Sequence, residues 1–250
     1  MRSRTEQTVL LVGASGATGR LLLEQLIERG NRVKAMVRSP DRLPGMLRNH
    51  PLVSVVHANL LDLDAAQLRR LTEDCDVVAS CLGHHVSLRG IFGPPYRLVT
   101  KATRRLSEAI SSHRREAPAR FVLMNSAGIR NRDLHEGISL AQRLIVGLLR
   151  VLIPPHADNE SAADYLRVCV SKADQGLEWC IVRPDTLTDA SETNGYAVYE
   201  SPTRSAIFDP GTTSRLNVAR FMTDLILDRE VWDRWRGQMP VVYDQDEYAA

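Results

Sequence analysis

Thr8-Val9-Leu10-Leu11-Val12 runs directly into Gly13-Ala14-Ser15-Gly16-Ala17-Thr18-Gly19 and on to Arg20-Leu21-Leu22-Leu23, and few folds can use such a sequence. A short apolar run bounded by glycine suits a parallel strand covered on both faces. The helix that follows would present unpaired N–H groups and a positive dipole end to an anion. The three glycines are expected to serve different ends. Gly13 turns the chain sharply, Gly16 lets the backbone approach a phosphate, and Gly19 lets the helix pack close to the sheet. The spacing is Gly-x-x-Gly-x-x-Gly, not the Gly-x-Gly-x-x-Gly of the dehydrogenase fingerprint. With a strand before it and a helix after it, the turn predicts a site for the pyrophosphate of a dinucleotide.

The end of the second strand indicates which dinucleotide. Asn31 to Val37 carries the strand pattern and closes on Arg38-Ser39-Pro40-Asp41-Arg42. An NAD site would place a carboxylate there, about 20 residues past the glycine turn, to hold the ribose hydroxyls. Arginine instead offers a 2′-phosphate a bidentate charged hydrogen bond, and Arg42 can close from the other side. NADP(H) is therefore expected in preference to NAD(H).

Beyond this segment the pattern keeps alternating, as in a Rossmann-type, doubly wound α/β fold with a mainly parallel sheet and helices on both faces. Leu52–His57, Asp76–Cys81, Arg120–Asn125 and Glu178–Arg183 read as strands three to six, with Met239–Tyr243 as a last strand. Helices are expected over Asp64–Leu68, Tyr96–His113, Leu134–Ile153 (stopped by Pro154-Pro155), Asp158–Gln175 and Arg215–Leu227, the last with Ser214 as N-cap. The polar, proline-containing stretch 184–213 reads as substrate-side loops carrying a small strand at Ser205–Phe208.

Over 250 residues, a hydrophobic share of 44% and a charged share of 25% suit one domain spanning 1–250 with a sizeable core. Basic clusters such as Lys101-Ala102-Thr103-Arg104-Arg105 lack interleaved aromatics and read as a solvated face, so no nucleic-acid partner is expected. No apolar run approaches the roughly 18 residues of a membrane span, and Met1 to Gln7 has no signal-peptide core. Cys75, Cys81, Cys169 and Cys180 have neither zinc-site nor disulfide-scaffold spacing, with Cys81 and Cys180 reading as small core residues. The expected setting is cytoplasmic.

The glycine turn, Val37-Arg38-Ser39-Pro40, Asn125-Ser126-Ala127-Gly128 and the Arg183-Pro184-Asp185-Thr186-Leu187-Thr188 element together resemble the atypical short-chain dehydrogenase/reductase proteins. Within these the chain is most similar to the NAD(P)H-binding group that includes the biliverdin-IXβ/flavin reductases and the NmrA-like regulators. The resemblance implies pyrophosphate contacts along Gly13, Ser15, Gly16, Ala17, Thr18 and Gly19, and a 2′-phosphate clamp from Arg38 and Arg42. It puts Asn59 and Leu60 beside the adenine and Cys81, Leu82 and Gly83 along the adenosine ribose and pyrophosphate. Ser126 would face the nicotinamide as the candidate catalytic residue, with Pro184, Thr186 and Leu187 on the other side. Two long helices, from Tyr96 and from Leu134, flank the sheet where related folds often dimerise. Leu144, Ile145, Leu148 and Leu149 could equally serve a homodimer or face the sheet.

The chain departs from that superfamily in its chemistry. A Tyr-x-x-x-Lys pair, whose lysine lowers the phenol pKa, is absent: Tyr165 is followed at that spacing by Cys169 and Tyr96 by Thr100. Ser126 can orient a carbonyl but is no strong acid. His84, His85 and His156 remain as proton donors, although surface exposure is the plain expectation for each. No metal site is expected, since Asp133, His135 and Glu136 fall at a helix start where acids already serve as caps. Two functions compete: an NADP(H)-dependent reductase of an unidentified small acceptor, and a non-catalytic NADP(H) sensor acting through a protein partner. An isomerase or lyase with a retained cofactor is a third reading that nothing singles out.

Overall fold

The computed structural model describes residues 6–84, 93–134, 136, 153–171, 176–190 and 195–245. Its strands are β1 (Thr8–Val12), β2 (Arg32–Val37), β3 (Val53–His57), β4 (Val77–Ser80), β5 (Ala119–Met124), β6 (Leu177–Pro184), β7 (Thr186–Thr188), β8 (Tyr196–Tyr199), β9 (Thr212–Ser214) and β10 (Val241–Asp244). Its helices are α1 (Ala17–Glu28), α2 (Gly45–Arg48), α3 (Ala65–Thr72), α4 (Leu98–Ser111), α5 (Pro154–Asp164), α6 (Arg215–Leu227) and α7 (Arg229–Trp235). The main sheet has eight strands in the order β3-β2-β1-β4-β5-β6-β10-β8, in which β8 alone pairs antiparallel, and β7 with β9 forms a separate parallel pair.

The unbroken apolar run of β1 follows from its central place. Val9 and Leu11 pack into one core with Leu22, Leu26 and Phe221 of α1 and α6, while Leu10 and Val12 enter a second core with Val99, Leu106 and Leu166. Both faces of the strand are thus covered, which leaves its carboxyl end as the exit to solvent. Strand order reverses between β1 and β4, and a crevice opens there at the carboxyl ends, where open α/β sheets bind ligands.

The glycine turn makes this crevice. Gly13 has φ +82°, and a Cβ on it would lie 2.7 Å from the Cys81 carbonyl carbon. A Cβ on Gly19 would lie 2.1 Å from the Gly13 carbonyl oxygen, so α1 starts against the end of β1 only because that position is glycine.

Some elements differ from the sequence expectation. Pro154 and Pro155 open α5, whose first turn does not need their missing N–H groups. The helix continues as a π-helical segment, Tyr165–Val170. Ser205 to Phe208 forms turns, not a strand: the Ser205 hydroxyl accepts from the N–H groups of Ile207 (3.4 Å) and Phe208 (3.2 Å), and such local bonding favours turns over sheet ladders. The strands of this region are instead β7, β8 and the start of β9, and α7 was not anticipated. Most of the expected 134–153 helix, with Leu144, Ile145, Leu148 and Leu149, lies outside the described residues.

Gly19→Ala should lower the free energy of unfolding by roughly 2 kcal/mol or more, because a methyl there meets backbone that cannot swing aside. Gly83→Ala, where a Cβ meets nothing within 4 Å, should stay within about 0.5 kcal/mol of the parent. Urea unfolding of the two variants measures both.

Candidate functional site

A cavity of about 210 Å³ opens over the ends of β1 to β4 and is lined by Gly13, Ser15, Gly16, Arg38, Arg42, Asn59, Leu60, Cys81, Leu82 and Gly83. Pro95 and Leu98, from the approach to α4, close its remaining side and were not foreseen. Ala17, Thr18 and Gly19 form the first turn of α1 behind the glycines, Ala17 exposed and the other two buried. No side chain caps this helix and its first turn holds no acid, so its N–H groups and dipole remain available to an anion.

The two arginines are equally available. Asp41, the carboxylate between them in sequence, pairs with Arg48 at 2.9 Å. Arg38 and Arg42 are exposed and form no ion pair among the described residues. The His57 ring lies 3.2 Å, through Nε2, from the Arg38 carbonyl and fixes the end of β2 against β3. Asn59 donates to Asp62 at 2.9 Å and Leu60 is buried. Arg105 of α4 reaches across to the carbonyls of Leu60 (3.1 Å) and Leu61 (2.8 Å), holding this wall in place.

Ser126, Pro184, Thr186 and Leu187 lie outside that cavity, the first two at the ends of β5 and β6 and the others in β7. Ala127 N–H donates to the Pro184 carbonyl at 2.8 Å, so Ser126 and Pro184 are neighbours across the two strands. Ser126 Oγ accepts from Gly128 N–H at 3.2 Å. Pro184 is buried, Thr186 is exposed, and Leu187 packs against the core. Asp185 between them accepts from Gly211 N–H at 3.2 Å, and burial raises its carboxyl above the ordinary carboxylate range despite that bond.

The side chain of Arg183 holds this edge together. It is fully buried, and it donates from Nε to the Met239 carbonyl (2.5 Å) and from Nη1 to the Ile129 carbonyl (2.9 Å). Its Nη2 reaches Glu136 Oε1 at 2.8 Å and the Glu200 carbonyl at 3.1 Å. Glu136, which the sequence puts near an expected helix start, is the buried counter-ion of Arg183, and its second oxygen accepts from Asn131 N–H at 2.8 Å. Asp133, likewise expected at a helix start, pairs with Arg167.

The histidines also depart from expectation. His84 is not a surface residue: its side chain is 8% exposed and its Nε2 lies 2.8 Å from Oδ2 of the fully buried Asp158. Asp158 also accepts from Val99 N–H (2.8 Å), Thr100 N–H (2.9 Å) and the Thr100 hydroxyl (2.6 Å). It thereby caps α4 from another helix, which sequence spacing could not reveal because 59 residues separate Asp158 from Val99. His156 is half-buried in the first turn of α5, beside Gly128. His85 and His135 lie outside the described residues. No group of acids, histidines and cysteines among the described residues could hold a metal, and no helix among them is long and apolar enough to cross a membrane.

Two variants test these assignments of charge. Glu136→Gln should cost about 3–5 kcal/mol by leaving a buried guanidinium unpaired, while Glu108→Gln, breaking the exposed Arg104–Glu108 pair, should cost less than about 1 kcal/mol in thermal unfolding. The thiols form a second test. Burial pushes Cys75 and Cys81 up to about 12 and raises Cys180 further, and the Cys81 sulfur turns inward against Met222 Sδ at 3.9 Å. Near pH 8 these three are protonated and unreactive, so iodoacetamide should label the exposed Cys169 of the folded chain and reach the others only after unfolding.

The sequence pattern of the NAD(P)H-binding family matches residues 13–229. An uncharacterised chloroplastic protein of Arabidopsis thaliana is 24% identical over 228 residues, covering 89% of this chain and 72% of that protein. A short-chain dehydrogenase/reductase from Veillonella parvula, solved in complex with NADP, superposes with a TM-score of 0.67 at 16% identity over 96% of this chain and 95% of its own. An anaerobillin reductase from Escherichia coli superposes with a TM-score of 0.65 at 17% identity over 97% of this chain and 100% of its own. At such identities the structural likeness establishes the Rossmann-type fold.

Proposed function

Because the chain belongs to the NAD(P)H-binding family, we propose that it is a reductase that takes NADP(H) in preference to NAD(H) and reduces a small conjugated acceptor without a Tyr-x-x-x-Lys pair. The observation that carries the preference is the pair Arg38 and Arg42, both exposed on the cavity wall and both without a protein counter-ion among the described residues. A dianionic 2′-phosphate would give them one.

The residues fit such a cofactor. Glycine at 13 and 19 lets the turn and the start of α1 pack tightly beside the cavity, the uncapped first turn of α1 suits a pyrophosphate, and Asn59 and Leu60 line the same cavity where the resemblance puts the adenine. The resemblance assigns Ser126, Pro184, Thr186 and Leu187 to the nicotinamide. When bound, the reduced nicotinamide supplies a hydride, and solvent can supply the accompanying proton to a flavin-, quinone- or tetrapyrrole-like acceptor. Ser126 then orients the reacting carbonyl or the carboxamide with its hydroxyl. A homodimer and a cytoplasmic setting go with this reading, the latter supported by four cysteines too sparsely spaced for a disulfide scaffold.

The missing tyrosine–lysine pair favours one other reading, a sensor that binds NADP(H) and signals to a protein partner without turnover. Binding alone requires only the glycine turn and the arginines. A sensor must bind NADPH and NADP+ with different affinities, since a ligand shifts an equilibrium only through differential affinity.

Titration of dihydronicotinamide fluorescence with NADPH and NADH, for the parent and Arg38→Ala, tests the preference. NADPH should bind at least about 10-fold more tightly than NADH in the parent, consistent with a charged hydrogen bond of about 1.5–3 kcal/mol, and the gap should largely close in the variant. Equal affinities in the parent would remove the 2′-phosphate clamp. NADPH oxidation with FMN, menadione or biliverdin supports the reductase, and tight binding with none of them oxidising it supports the sensor.

A further inference from the structure

A second cavity, also of about 210 Å³, opens at the amino-terminal edge of the sheet, where the chain enters β1, β4 and β5. Open α/β sheets take their ligands at the carboxyl ends of the strands, so the fold gives no reason for a cavity here. Its charged and amide walls are Glu6, Gln7, Asp76, Arg115 and Arg120. Acids and arginines balance in number, and strand order separates them. Glu6 and Gln7 precede β1 and Asp76 precedes β4, whereas Arg115 leads into β5 and Arg120 belongs to it, with β4 lying between β1 and β5.

The two arginines are anchored without being neutralised. Arg115 Nη2 donates to the carbonyls of Thr72 (2.9 Å) and Glu73 (3.2 Å), and Arg120 Nη1 donates to the Ile226 carbonyl (3.0 Å); neither forms an ion pair among the described residues. Across the cavity, Glu6 pairs with Arg32 at 2.6 Å and Asp76 Oδ2 accepts from Thr8 N–H at 2.9 Å. Two polar atoms of the wall residues are buried with no hydrogen-bond partner: Arg115 Nε, a donor on the basic side, and Gln7 Oε1, an acceptor on the acidic side. Folded proteins pair nearly all such atoms, so an unpaired donor and an unpaired acceptor on opposite walls mark a place where a partner is missing. Gln7 is held through its backbone N–H, on Asn31 Oδ1 at 3.3 Å, which leaves its amide able to turn into the cavity.

We infer that this cavity binds a small zwitterion, a free α-amino acid, with its carboxylate on the side of Arg115 and Arg120 and its ammonium on the side of Gln7 and the acids. A simple anion would suit the guanidinium groups but be repelled by Glu6 and Asp76, and a simple cation would meet the reverse. A ligand carrying both charges satisfies both walls. The size agrees, since pockets for drug-sized molecules run to roughly 300–1,000 Å³ and this one is smaller. Arg115 and Arg120 hold the carboxyl ends of α3 and α6, so an occupant ties together helices packed into different cores on the two faces of the sheet. The site is independent of what the opposite cavity binds.

Calorimetric titration of the full chain with each common L-amino acid, and separately with acetate, methylammonium and inorganic phosphate, tests this. At least one amino acid should bind with a Kd of about 1 mM or tighter, and the three simple ions at least about 10-fold more weakly. Gln7→Leu removes the acceptor, and Arg115→Lys keeps the charge but loses Nε; each should weaken the amino acid at least about 10-fold. The Gln7 side chain forms no hydrogen bond among the described residues, so Gln7→Leu decides the matter should Arg115→Lys fail to fold. The Arg115 Nε–H resonance, identified by its loss in Arg115→Lys or by its coupling to the side chain, should shift on saturation with that amino acid. Any simple ion binding as tightly as the amino acid overturns the zwitterion. No heat from any amino acid at about 10 mM, or an affinity unchanged in Gln7→Leu, overturns the site and leaves a cavity that holds only water.

Discussion

A guanidinium sealed from water is the constraint around which the edge at the ends of β5 and β6 is arranged. Arg183 keeps its positive charge in the interior, and such a charge is tolerable only if its donors are met and a counter-ion stands beside it. The carbonyls of Ile129, Glu200 and Met239 and the carboxylate of Glu136 meet that demand. These groups come from the segment after β5, the end of β8 and the approach to β10, so a single side chain ties the segment after β5 to the paired strands β8 and β10. Ser126 and Gly128 lie in the first of them, and Pro184 follows Arg183 directly.

The dinucleotide edge is organised differently. There the governing condition is the absence of atoms: Gly13 and Gly19 have no Cβ because the Cys81 carbonyl and the Gly13 carbonyl respectively occupy that space. Arg38 and Arg42 face outward there with no ion pair among the described residues, while Arg183 and Glu136 at the other edge are turned in and paired. The first edge is thus built to gain a ligand's charge, and the second to hold a shape. Asp158 joins the two by capping α4, whose Leu98 closes the dinucleotide cavity, from α5, whose first turn carries His156.

What could be read from the sequence divides along the same line. β1, the glycine turn, α1 and the arginines after β2 are local: adjacent residues make the structure, and periodicity with spacing is enough to see it. Ser214 as the cap of α6 was legible for the same reason, its hydroxyl accepting from Asn217 N–H at 3.1 Å. The Arg183–Glu136 pair, separated by 47 residues, and the His84–Asp158 pair, separated by 74, were not, since neither charge lies in a local pattern that reveals its partner. The turn at Ser205–Phe208 misled for the converse reason: a short apolar run looks like a strand, but the Ser205 hydroxyl takes the N–H groups that a strand would need.

All three tryptophans lie at the end of the sheet away from these edges. Trp179 sits near the start of β6 with its indole N–H on Ser171 Oγ at 2.9 Å, and Trp232 donates to Glu178 at 2.7 Å beneath the Arg120 guanidinium, 5.0 Å from the ring centre. Trp235 stacks edge-on against Phe221 at 6.4 Å. Each is nearly sealed from water, and none borders the cavity. The colour of the protein's own ultraviolet emission therefore follows the closure of the amino-terminal edge: it should redden as that edge opens to water, and a ligand settling at the opposite end would leave its wavelength where it was unless the whole sheet had moved.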